Sequence, residues 1–140
     1  MDVVFLIGRI LFVLIFLFSG STIHLLKARQ GIEYARMYRV QAPVITVPLS
    51  GLMAVVGGLS VALGIWGDLG ALVLVAFLIP VAFYMHAFWK ESDPQQQANQ
   101  MAHFMKNISM AGGALTLFYA WNQLQSEAGL SITEPLFDRW

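Results

Sequence analysis

Seven side chains combine types and spacings that could do chemistry: His24, His86, Trp89, His103, Lys106, Asn107 and Arg9. His103 and Asn107 are four residues apart and His86 and Trp89 three apart, so on helices each pair shares a face. Imidazoles, a carboxamide, an ammonium and an indole at one water–lipid boundary suit a quinone headgroup. Such a ring needs hydrogen-bond donors at its two carbonyl oxygens, an aromatic wall and a route in from lipid. In that reading His86 and His103 donate hydrogen bonds or relay protons near neutral pH. Asn107 and Lys106 contact a carbonyl or a phosphate, and Trp89 with Phe88 forms the wall. Two other readings use the same residues. Aromatic side chains anchor helices at membrane interfaces, and imidazole nitrogens can ligate haem or a metal. No H-x-x-x-H or H-E-x-x-H spacing occurs, so no metal is assigned. No catalytic set is assigned either, and quinone is expected as a cofactor ahead of haem or a metal. Arg9 either snorkels to the headgroups or turns inward to hold a carboxylate, a quinone oxygen or a lipid phosphate.

The elements that must position these residues follow from where charge is missing. The chain has 140 residues, 58% apolar and only 11% charged, with no net charge and no cysteine. A soluble domain of average composition is about half apolar and a quarter charged. There is no basic field to attract nucleic acid, and thiol chemistry is excluded. Residues 3–26, 44–66, 69–89 and 104–124 contain only two of the sixteen charged residues, Arg9 and Lys106. A bilayer core takes about 20 apolar residues of helix and forbids irregular backbone. The expected fold is therefore all-α: one membrane domain over residues 1–140, a bundle of four transmembrane helices. The first stretch is read as a retained helix rather than a signal peptide. It lacks a basic start, exceeds a usual apolar leader core and has no A-x-A site after it.

Four crossings put both termini on one side and the 1–2 and 3–4 connections on the other. The connecting side carries Lys27, Arg29, Arg36, Arg39, Lys90 and Lys106, against Arg9 and Arg139 on the terminal side. The positive-inside rule then places the loops in the cytoplasm and the termini outside. All three histidines fall at the loop side. Between helices 1 and 2, Ile32, Ala35 and Tyr38 recur at threes among arginines, predicting a short helix in the headgroup region. It serves either as a lipid or partner contact or as a snorkelling linker. Gly67 and Asp68 predict a tight turn between helices 2 and 3. The tail with Glu127, Glu134, Pro135 and Asp138 is expected to be exposed, with Phe137 and Trp140 returning to the interface. Ser50, Ala54, Gly58 and Ala62 form a small-residue ridge for close helix packing, inside the chain or against a partner subunit. Ala111, Gly112, Gly113 and Ala114 repeat the device. Pro80 predicts a kink that re-aims the end of helix 3. Gly-rich phosphate loops and a hydrolase triad have no support.

With these residues in place, the chain resembles the DoxX family of small four-helix membrane proteins. His86-Ala87-Phe88-Trp89, a polar loop, and then Phe104 to Gly113 are similar to that family's H-x-[FY]-W and F-x-K-N-x-x-x-A-G signature. Arg9 with Ser19-Gly20, and Gly57-Gly58-Leu59 through Leu63-Gly64, are also similar. Many members carry a lysine and a glutamate where this chain has Ile23 and Ala54. The resemblance implies a link to redox systems, since relatives include a subunit of thiosulfate:quinone oxidoreductase and a maturation factor for methylamine dehydrogenase. Others are membrane partners of superoxide dismutase and a sulfurtransferase. It implies a multi-pass protein of a cell membrane of the bacterial inner-membrane kind. Its partners would be membrane lipid, quinone, and a redox protein or larger membrane complex. The alternative expectation is a non-catalytic accessory or assembly subunit. A small transporter is a weaker third reading, because broken helices and inverted repeats are not evident.

Overall fold

A computed structural model describes residues 2–125 and 129–137, without the side chains of Asp2 and Ile23. Glu127, Asp138, Arg139 and Trp140, named in the sequence reading, lie outside the described residues. Helix α1 (Asp2–Ser19) continues without a break as a seven-residue π-helix, Gly20–Leu26. At this junction the Ser21 and Thr22 hydroxyls take the carbonyls of Leu17 and Phe18 at 2.5 and 2.6 Å, back-bonding of the kind that bends helices.

The amphipathic helix α2 (Ala28–Met37) lies between the first two long helices, where a short interfacial helix was expected. Helix α3 spans Pro43–Leu63 and α4 spans Gly67–Met85. A 3-10 turn (Phe88–Lys90) leads to α5, Pro94–Leu124. Among the described residues, three segments are long and apolar enough to cross a membrane: Val3–Leu26, Pro43–Leu63 and Gly67–Lys90. Helix α5 is the longest of all. Its polar start and the side chains of Lys106, Asn107 and Asn122 make it less apolar. It begins ten residues before the expected 104. The start signal is present in the sequence: Asp93 caps the helix by accepting from Gln96 N at 2.8 Å, and Pro94 occupies the first turn.

Helices α3, α4 and α5 pack in sequence, and α1 lies against α3. The core joins Val13 and Phe16 of α1, Ala54 and Val61 of α3, Leu74, Phe77 and Leu78 of α4, and Ala111, Ala114 and Trp121 of α5. The small-residue ridge is used within the chain. A side chain at Gly58 would meet Phe16 and Leu17 of α1, and one at Gly57 would meet Leu74 of α4. Ala54 is fully buried beside Gly20.

One expectation about the connections is corrected. The turn between α3 and α4 falls at Gly64–Trp66, not at Gly67 and Asp68. Gly64 takes the left-handed conformation (φ 63°) that ends α3, and α4 already starts at Gly67. Asp68 is buried in the first turn of α4, where the helix dipole favours a carboxylate. The tail is exposed at Leu130, Ile132, Glu134 and Leu136, as expected, and it is also tied to the bundle. Ile132 and Thr133 donate to the carbonyls of Leu63 and Gly64, which α3 leaves without helical partners. Trp66 N donates to Thr133 Oγ1 at 2.8 Å, and Phe137 N to Asp68 Oδ2 at 2.8 Å. Residues 130–137 thus form a strap across the terminal end of the bundle.

Candidate functional site

At the other end of the bundle, residues of the π-helix, α2, α3 and α4 line a cavity of about 500 Å³. That is within the range of small-molecule sites. Its walls are largely apolar: Val47, Met53, Phe77, Val81 and Met85, with Tyr34 and Tyr84. Exposed Leu49, Ala76, Pro80 and Tyr84 stand on its rim, so it opens on the outer surface between α3 and α4. Two histidines line it, His24 from the π-helix and His86 from the end of α4. His24 Nδ1 lies 2.9 Å from Ser50 Oγ, and its ring meets Phe77 edge-on at 6.0 Å. Gly51 makes room for this ring, because a Cβ there would run into His24.

Behind His86 stands a polar network, centred on the buried Gln100, that ties α5 to α2. His86 Nδ1 is 2.8 Å from Gln100 Oε1. Gln100 Nε2 donates to Tyr38 OH at 2.6 Å and to Tyr34 OH at 3.3 Å. Gln100 is 5% exposed, so these bonds satisfy an amide that burial would otherwise penalise. The two tyrosine rings pack at 4.9 Å. The hydrogen bond with Tyr34, then burial, push the Tyr38 phenol up to about 12. On its other face His86 stacks on His103, with ring centroids 5.1 Å apart and 25° between planes. Lys106 Nζ lies 3.4 Å from His103 Nδ1, and both side chains are exposed.

The expected site residues therefore divide. His24 and His86 share the cavity, and His103 with Lys106 extends the cluster outside it. Asn107 shares a helix face with His103 yet is buried, and it does not line the cavity. Trp89 is not the cavity wall either. It packs with Phe83, Phe88 and Phe104, at 6.2, 5.1 and 5.6 Å, and fastens the end of α4 to α5. Phe77, Tyr34 and Tyr84 supply the aromatic wall instead. Arg9 belongs to the opposite end of the bundle. It is turned inward and fully buried, donating to Ser131 Oγ at 2.8 Å and to Leu130 O. Its guanidinium lies over the Phe5 and Trp121 rings at 5.6 and 5.7 Å. Along one helix it is fifteen residues from His24, about 22 Å of rise.

Sequence reasoning missed Gln100, Ser50 as a histidine partner, and Tyr34. The four-residue spacing of Tyr34 and Tyr38 on an amphipathic helix was a readable signal for a shared contact. Gln100 sits in a glutamine-rich run with nothing local to single it out.

Among known proteins, the family model described as DoxX matches residues 4–87, more than half of the chain. The match takes in Arg9, the glycine-rich α3 and His86. It ends before the second half of the α4–α5 signature and before α5. No curated protein and no solved structure matches the chain.

Proposed function

The chain belongs to the DoxX family of membrane proteins, and on that premise we propose that it holds a quinone- or lipid-sized molecule for a redox partner in the same membrane. The observation that carries this reading is the shared cavity. Two imidazoles from different helices face one ligand-sized space whose remaining walls are apolar and aromatic, the composition expected of a pocket filled from lipid. The chain has no cysteine, and the role assigned to it is to dock the ligand. Helix α5 serves as the fourth crossing. Its start lies by the end of α4, where His103 meets His86, and its end lies by the start of α1, where Trp121 meets Phe5 at 5.2 Å. It therefore runs the full length of the bundle. The basic loops then face the cytoplasm and put the cavity near the inner headgroups.

The experiment is extraction of small molecules from the purified protein after quinone supplementation of the membranes. A stoichiometric quinone, its oxidised and reduced forms counted together, is expected in the parent protein. It should be lost in His86→Ala and in Met53→Trp, which fills the cavity. A folded parent protein that carries neither form at saturating supply overturns the reading.

One feature favours the accessory reading. Gly112 on α5 faces open space, between exposed Ser109 and Thr116, and leaves a helix face that a second backbone could approach. Purification in mild detergent with a stoichiometric larger subunit is its expected signature.

A further inference from the structure

Each cavity imidazole makes a hydrogen bond through Nδ1, His24 with Ser50 Oγ and His86 with Gln100 Oε1. Ser50 Oγ has a single proton, and a second acceptor, Val47 O, lies 2.7 Å away. With its proton placed there, the serine accepts from His24 Nδ1. Gln100 directs its NH2 group at the two tyrosine hydroxyls, and its carbonyl oxygen then accepts from His86 Nδ1. A neutral imidazole has one N–H. In this arrangement Nε2 of both rings is left as a bare acceptor.

We propose that the cavity selects the reduced, hydroxyl-bearing form of its ligand, a hydroquinone whose ring hydroxyls donate to His24 Nε2 and His86 Nε2. This inference rests on the ligand-docking reading above and narrows it. A quinone carbonyl or a lipid phosphodiester brings only acceptors and sets lone pair against lone pair. A site built to receive a hydroxyl rejects the analogue that lacks it, because the site's own groups are then left unpaired. Tyr34 has a rotatable hydroxyl that can donate to the phenolic oxygen, which a ring hydroxyl accepts while it donates elsewhere. At the rim, Thr46 places its proton on the carbonyls of Gln41 or Ala42, both 3.3 Å away. Gln100 does not line the cavity; it is a positioning residue that sets the tautomer of His86.

The test compares durohydroquinone with duroquinone, titrated anaerobically against the full chain in nanodiscs. The pH is held above the ordinary imidazole range so that both rings are neutral. The hydroquinone is expected to bind at least about tenfold tighter, a gap of about 1.4 kcal/mol. In Gln100→Leu, His86 is free to carry its proton on Nε2 and donate to a carbonyl, so the preference should fall as the quinone binds tighter. Equal affinities, or a tighter quinone, overturn the selection and leave the docking site standing. Binding of neither form overturns the docking reading together with it. Nitrogen-15 spectra of the parent protein give a second readout, independent of whether the variant folds. Protonated Nδ1 and bare Nε2 in both His24 and His86 support the proposal, and the opposite tautomer in either ring overturns it.

Discussion

Arg9 shows how far a single side chain can depart from the behaviour of its type. The residue was free to snorkel; instead it is enclosed by Phe5, Trp121 and the strap. Hydrogen bonds to a charged group contribute about 1.5–3 kcal/mol. Arg9→Met should lower stability by about that amount in detergent unfolding and open residues 130–137 to chymotrypsin. A strap that stays protected would contradict the role given to Arg9. Tyr38 is a second case. Its folded phenol titrates near about 12, above the ordinary value of 10.0, because it is bonded to Tyr34 and partly buried. A raised folded value means that the neutral form is favoured. The stability it contributes is complete below the unfolded value and is lost as pH rises through about 12. Ultraviolet titration of the folded protein should show one late tyrosine, absent in Tyr38→Phe. The histidines were legible as a set because chain topology alone brings them to one end. Which of them share a cavity was not, since that depends on the rotation of each helix.

At the level of elements, close approach explains most of the glycines that matter. Gly51 lets the π-helix lie on α3 with His24 between them. In Gly51→Ala the new methyl group overlaps the His24 side chain. Overpacking of this kind costs about 1–3 kcal/mol. The variant should melt lower and lose the hydroquinone preference together with the His24–Ser50 bond, seen as a shift of the His24 ring nitrogens. Preserved histidine signals in a folded variant would refute this placement. The N-terminal third of α5 is the other element-scale feature. It is polar and exposed, and Asp93 caps it. Removing a cap costs about 1 kcal/mol. Asp93→Ala should speed hydrogen exchange over residues 94–99, while Gln100, held by Tyr38, stays protected. The apolar stretches identified the long helices within a few residues. The α5 extension escaped because it is polar, so that only a cap and a proline mark it.

For the whole molecule, the two ends do different things: a strap and buried charges close one end, and a cavity with two imidazoles opens at the other. The absence of cysteine allows a clean test of orientation. With Gln30→Cys and Glu134→Cys in separate variants, an impermeant maleimide applied to intact spheroplasts should label position 134 and reach position 30 only after permeabilisation. The reverse pattern, or both sites on one side, would refute the proposed crossing pattern. Segregation of charge along the chain was sufficient to read an all-helical protein with apolar spans and to bring the three histidines to one end. Burial of apolar area in lipid is a property of composition and length, and so it is written in the sequence. Helix rotation is set by side-chain packing between distant segments. Only the tertiary structure could decide that Arg9 faces inward, that Trp89 fastens a helix end while Phe77 walls the cavity, and that Gln100 and Ser50 bond the two histidines.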